Sequence, residues 1–206
     1  PAYAGIPLTH RTHSSTVAFI TGHEDPTKGE SRIDWQSLAG IETLVFLMGV
    51  KNLPGITANL IAAGKPPETP AALIRWGTTA EQETLTAPLA GLAERAKAKG
   101  FKPPAILVVG SVVSLQPLLN WFEVKPLFGK GIVITRPEAQ ADEFLDLLHA
   151  EGARTYLFPT ISISPPEDFH DLDRAIEHIE TYHWLIFTSA NAVRFFFQRL
   201  GGSKRD

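Results

Sequence analysis

Short runs of apolar and β-branched residues alternate along this chain with stretches of helical period. Residues 16–21, 43–48, 71–76 and 105–109 read as strands, each a few residues long and rich in Val, Ile, Leu, Phe and Thr. Between them, residues 53–63 and 89–99 place apolar side chains three and four apart and end before Gly64 and Gly100, where a helix C-cap belongs. The rhythm repeats further on: a strand at 131–135, a helix at 137–150, a strand at 153–158, a helix at 168–180, a strand at 183–188 and a helix at 189–200. Strands alternating with helices of this length predict an α/β architecture.

Two clusters of breakers interrupt the alternation. Pro126, Gly129 and Gly131 mark residues 121–131 as a linker between two halves, and Phe158 to Pro166 alternates apolar and polar residues between prolines, the pattern of an extended ribbon crossing between lobes. We therefore divide the chain into residues 1–125 and 126–206. The opening stretch lacks an initiator Met and a targeting segment, and the chain reads as a fragment of a longer protein.

Composition narrows the function classes. With 44% hydrophobic and 20% charged residues, the 206-residue chain has the make-up of a globular protein, and it contains no apolar run of the ~18 residues that a membrane span needs. No membrane role is expected. A net charge of −3 gives no general field for nucleic acid, so an acidic ligand has to be met by local groups. The absence of Cys excludes disulfides and thiolate metal sites and makes the cytoplasm the default location. His10, His13 and His23 are scattered over loops without a further ligand, and we expect no metal site.

Two strand ends carry candidate chemistry. Met48-Gly49 and Gly77-Thr78-Thr79 are turns that offer backbone N–H and C=O groups with no bulky side chain in a ligand's way. The plain alternatives are a gap-filling core methionine and a turn glycine. Ser189 stands where a strand meets a helix. It is a good N-cap, and the helix start beyond it presents unpaired N–H groups suited to a carboxylate; the bland reading is a Ser that satisfies only its own helix. Arg136 lies in a similar place, after a strand and before Pro137. Phe195-Phe-Phe197 reads as core, since neighbouring residues on a helix face different directions.

Four blocks in the first half carry a family resemblance. They are Ala4-Gly-Ile-Pro-Leu-Thr-His-Arg11 with Phe19-Ile-Thr-Gly-His-Glu24, then Thr43-Leu-Val-Phe-Leu-Met-Gly49, Pro70-Ala-Ala-Leu-Ile-Arg-Trp-Gly-Thr-Thr-Ala-Glu-Gln82 and Pro104-Ala-Ile-Leu-Val-Val-Gly-Ser-Val-Val-Ser-Leu115. In order and spacing they resemble the uroporphyrinogen-III C-methyltransferases of the tetrapyrrole methylase family. The resemblance implies S-adenosyl-L-methionine as cofactor, with Met48 and Gly77 contacting it, and a tetrapyrrole polycarboxylate as substrate. It places Arg11 and His23 on the substrate side, where an Arg fork suits carboxylates and an imidazole titrates near working pH; a surface Arg and a loop His are the plain alternatives. It also implies a homodimer formed through the methyltransferase part, and a glycine-rich first lobe that this chain does not contain.

The second half resembles the beginning of the uroporphyrinogen-III synthase family, on Gly131-Ile-Val-Ile-Thr-Arg-Pro137, Ala150-Glu-Gly-Ala-Arg154, Phe158-Pro159 and Trp184-Leu-Ile-Phe-Thr-Ser-Ala-Asn-Ala-Val193. The implied fold class is α/β: the second lobe of a tetrapyrrole methylase fold, then the first part of a two-lobed synthase fold. The implied chemistry is cyclisation of hydroxymethylbilane and methylation of the product, uroporphyrinogen III, to precorrin-2. Arg136 and Ser189 become candidates for substrate carboxylates. The competing readings are another methyltransferase of the same fold and a catalytically silent binding or dimerisation fragment.

Overall fold

The computed structural model describes residues 1–22, 32–138 and 141–203. Its first compact unit comprises residues 1–133 and 142–156. The strands β1 (Val17–Thr21), β2 (Thr43–Leu47), β3 (Pro70–Arg75), β4 (Glu83–Pro88) and β5 (Ala105–Val109) form one sheet in the order β1-β2-β5-β3-β4. Only β1 and β2 run parallel, with Phe19 opposite Val45; β2–β5, β5–β3 and β3–β4 are antiparallel. The fold is mixed α/β, with a largely antiparallel sheet.

Alternation along each strand sends side chains to two faces. On one face Leu44, Phe46, Leu73, Leu107 and Val109 meet the helices. These are α1 (Trp35–Ala39), α2 (Leu53–Ala62) and α3 (Leu89–Ala98). The helix α2 buries Leu53, Ile56, Thr57 and Leu60, the i, i+3, i+4, i+7 pattern of an amphipathic helix, and α3 buries Leu89, Leu92 and Ala96. Burying one such Leu or Phe stabilises the fold by about 1.5–3 kcal/mol. On the other face Ala72, Ile74 and Val108 pack against Ala4, Ile6, Val112 and Val113, so the chain start and the turn after β5 close the second core. The short helix α4 (Gln116–Leu119) follows that turn.

Among the elements absent from the sequence pattern are β4 and α1. The strand β4 contains two threonines and only one large apolar residue, Leu85, yet all six of its residues pair with β3. The helix α1 is a single turn capped by the Asp34 carboxylate, which accepts from the Ser37 N–H at 3.0 Å.

The breaker cluster at 121–131 is packed, not extended. Phe122 is buried and meets Phe128 edge-on at 5.4 Å, and the Leu127 N–H donates to the Glu151 carbonyl at 3.0 Å. After it come β6 (Gly131–Ile134), α5 (Asp142–Ala150) and β7 (Arg154–Leu157), with β6 and β7 in a two-stranded sheet. Compactness and sequence resemblance thus divide the chain at different places.

The second unit comprises residues 134–141 and 157–206. It holds α6 (His170–Glu177), a 3-10 turn at Ile179–Thr181, and α7 (Ala190–Ser203). Arg199 grips Asp173 with both ends of its fork, at 2.5 and 2.6 Å, and Phe187 meets Phe196 edge-on at 5.2 Å. The expected strand at 183–188 is irregular backbone, as is the ribbon from Phe158 to Pro166. A strand exists only beside a partner, and among the described residues none pairs with 183–188; Trp184 and Ile186 are each 84% exposed.

Candidate functional site

The ends of β2 and β3 and the start of β5 lie together at one end of the sheet, because β5 runs antiparallel to both. A cleft of about 830 Å³ opens there. Leu47, Ile74 and Ile106 line it from the strands, Met48 and Trp76 from the residues just after β2 and β3, Tyr3 from the chain start and Val50 from the turn after β2. Its walls are mainly apolar, with Lys51 and Gln82 as polar members. Met48 and Gly77, chosen from sequence, both line this cleft.

The backbone of the cleft is unusual. Among the described residues, three non-glycine residues have positive φ: Met48 at 56°, Trp76 at 45° and Thr78 at 76°. All three line the cleft. A non-glycine residue in this region costs about 1–3 kcal/mol and persists where its surroundings over-determine it, as at ligand clamps and active sites. For Met48 the effect is visible: its side chain is turned out, 63% exposed, instead of filling the core. No signal in the sequence marked Trp76 or Thr78 for this conformation.

Two glycines bring the end of β1 against the turn after Met48. Gly22 and Gly49 approach so closely that a Cβ on Gly22 would sit 2.7 Å from the Gly49 Cα, which ties the end of β1 to the turn after Met48. Gly77 is different. A Cβ there would meet only ordinary contacts, 3.6 Å to Ile74 Cγ2 and 3.7 Å to Gln82 Oε1, so the fold does not demand glycine. The missing side chain leaves backbone exposed at the cleft wall, a cradle that a Cβ would begin to fill.

The turn after β3 is wound on itself. The Thr79 hydroxyl donates to the Trp76 carbonyl at 2.8 Å, and the Thr78 N–H donates to Gln82 Oε1 at 2.9 Å. The Arg75 guanidinium stacks over the Trp76 ring at 3.9 Å, fixing the indole beside the cleft.

The remaining sequence candidates lie elsewhere. Arg11 is exposed at the tip of a turn closed by the His10–Ser14 bridge, and it does not line the cleft. That turn is anchored by Glu42, whose carboxylate accepts from the Ser15 and Thr16 N–H groups at 2.5 and 3.1 Å; these bonds hold the carboxyl below its ordinary pKa. His23 falls outside the described residues. Arg136 is exposed after β6, and the Ser189 hydroxyl accepts from the Ala192 N–H at 3.1 Å, capping α7. Among the described residues no group of three His, Asp or Glu is placed to hold a metal, and no helix is long and apolar enough to cross a membrane.

Residues 1–93 match the family model of tetrapyrrole (corrin/porphyrin) methylases, and residues 142–206 that of the uroporphyrinogen-III synthase HemD. The two matches follow one another along the chain without overlap, the tetrapyrrole methylase match first and the HemD match second. Over 207 residues it is 37% identical to a uroporphyrinogen-III C-methyltransferase of Bacillus subtilis, covering 100% of this chain and 42% of that protein. It is 37% identical over 205 residues to the porphyrin biosynthesis protein HemD of Ruminiclostridium josui, covering 99% and 40%. An S-adenosyl-L-methionine-dependent uroporphyrinogen III methyltransferase of Methanosarcina barkeri is 52% identical over 121 residues, 58% of this chain and 48% of its own length. The chain spans less than half the length of these relatives.

Proposed function

We propose that residues 1–125 form the cofactor-facing C-terminal part of an S-adenosylmethionine-dependent uroporphyrinogen-III C-methyltransferase, and that residues 126–206 form the beginning of a uroporphyrinogen-III synthase. Together they serve a bifunctional enzyme that closes hydroxymethylbilane and methylates the resulting uroporphyrinogen III to precorrin-2. The observation that carries this reading is the cleft that Met48 and Gly77 share with the left-handed backbone of Trp76 and Thr78. The relatives that match both halves in this order support it.

Bound S-adenosylmethionine would supply a methyl group activated as a sulfonium. The chain's own residues bind and orient. The exposed backbone at Met48 and Gly77 offers hydrogen-bonding groups, and the apolar walls of Leu47, Ile74 and Ile106 exclude water from the reacting centre. Orientation of this kind accounts for about 7–11 kcal/mol of a barrier, so the methyl transfer calls for no metal. Arg11 provides a fork for a porphyrinogen carboxylate, and His23 orients the same substrate. In the synthase part, Arg136 and the N–H groups at the start of α7 after Ser189 meet carboxylates of the bilane. The enzyme works in the cytoplasm as a homodimer formed through its methyltransferase part.

Calorimetric titration of the chain with S-adenosylhomocysteine, with ATP as the control ligand, tests the reading. Saturable binding with a dissociation constant on the order of 0.1–1 mM, and no saturable heat with ATP, is the expected outcome. Equal response to both ligands, or to neither, would refute it.

A further inference from the structure

We propose that Gln82 is the positioning residue of the cleft: it holds the left-handed turn at Thr78 in its ligand-facing form, and Glu123 decides which end of the Gln82 amide faces that turn. The inference rests on the cofactor reading of the cleft given above.

Gln82 is 5% exposed and lines the cleft. Its Oε1 accepts from the Thr78 N–H at 2.9 Å, and its Nε2 donates to Glu123 Oε1 at 2.8 Å. A glutamine amide has one accepting and one donating end, and the two ends are close in shape. An ionised carboxylate only accepts, so Glu123 requires Nε2 on its side. Oε1 is then left for Thr78, whose backbone N–H only donates. The two partners therefore allow one amide orientation and exclude the other.

Glu123 is itself held in place. The Thr84 hydroxyl on β4 donates to the same Oε1 at 2.6 Å, and the Glu123 N–H donates to Asn120 Oδ1 at 3.3 Å. The chain of bonds thus runs from the segment 120–123, through Gln82, to the Thr78 amide. Thr78 is β-branched and has φ of 76°, a conformation that needs an external hold. Gly77, next to it, is the position whose open backbone faces the cleft.

Gln82→Glu sets two carboxylates against each other. Adding Glu123→Gln rebuilds the pair with its roles exchanged: the carboxylate now at position 82 accepts from the Thr78 N–H, and the amide now at position 123 donates to that carboxylate. Gln82→Met, neutral and similar in size, removes the acceptor without adding charge and serves as a folding control. Three readouts are needed on the 206-residue chain: amide hydrogen exchange at Thr78 without ligand, affinity for S-adenosylhomocysteine, and the melting temperature.

In the two single variants at position 82, Thr78 exchange is expected to rise and S-adenosylhomocysteine affinity to fall, each about tenfold. In Q82E/E123Q both should return to within about threefold of the parent. A packing role alone would not produce rescue by exchanged partners. Unchanged Thr78 exchange and affinity in Gln82→Met would overturn the inference, as would a folded double variant that recovers neither. A parent chain that binds no S-adenosylhomocysteine would overturn the cofactor reading and this inference with it; a parent that binds, with variants that bind as tightly, would overturn this inference alone.

Discussion

Valine at position 77 separates what the fold needs from what the cleft needs. A Cβ at Gly77 would lie 3.6 Å from Ile74 Cγ2 and 3.7 Å from Gln82 Oε1, both ordinary contacts. Gly77→Ala should therefore leave the fold intact, and the loss of chain freedom in the unfolded state should stabilise it by about 0.4–1 kcal/mol. Gly77→Val adds two methyl groups beside Ile74 and Gln82, which themselves line the cleft, so the extra volume enters the space a ligand would use. A ligand resting on this backbone would lose at least one hydrogen bond and its packing around it. That amounts to about 1.5–3 kcal/mol, roughly 10- to 150-fold in affinity. Thermal melts of both variants, paired with S-adenosylhomocysteine titrations, give the assay. The expected result is a valine variant that melts within a few degrees of the parent and shows no saturable binding. A valine variant that binds like the parent, or an alanine variant that unfolds, would refute the reasoning.

Other expectations concern the scaffold. The Glu42 carboxyl titrates below its ordinary value because the Ser15 and Thr16 N–H groups bond its charged form, so its contribution is present above the unfolded value of 4.5 and is lost as pH falls through the lower folded value. Glu42→Gln should accordingly lower the melting temperature at pH 7, and the gap to the parent should close on acidification towards pH ~3. Leu73→Ala, in the fully buried centre of β3, should cost about 2–5 kcal/mol in denaturant unfolding. Ser189→Ala removes the N-cap of α7 and should cost about 0.5–2 kcal/mol, read as reduced amide protection at Ala192.

Much of the methylase-like half was legible because its strands are short, apolar and bounded by glycines. Residues 43–48 and 105–109 were placed to within a residue, and α2 and α3 were marked by their buried spacing and by Gly64 and Gly100. The strand β4 was not, because Thr84, Thr86 and Pro88 carry too little apolar alternation and its position is set by pairing with β3. In the other direction, Trp184-Leu-Ile-Phe187 has strand composition but no partner among the described residues, so tertiary context overrides its propensity. At the site, turn chemistry and family resemblance pointed to Met48 and Gly77, whereas the Gln82–Glu123 bond joins residues 41 apart and leaves no local trace. The left-handed backbone at Trp76 and Thr78 was equally hidden, since neither residue type favours it.

The proposed function requires that the cleft at the ends of β2 and β3 receive S-adenosylmethionine. Two-dimensional NMR of the isotope-labelled chain, titrated with S-adenosylhomocysteine, tests it residue by residue. Saturable shifts concentrated at Met48, Trp76, Gly77 and Thr78, with the amides of α6 and α7 unmoved, are the expected result. Shifts that saturate elsewhere and leave these four residues unchanged, or no saturable shift at all, would contradict it.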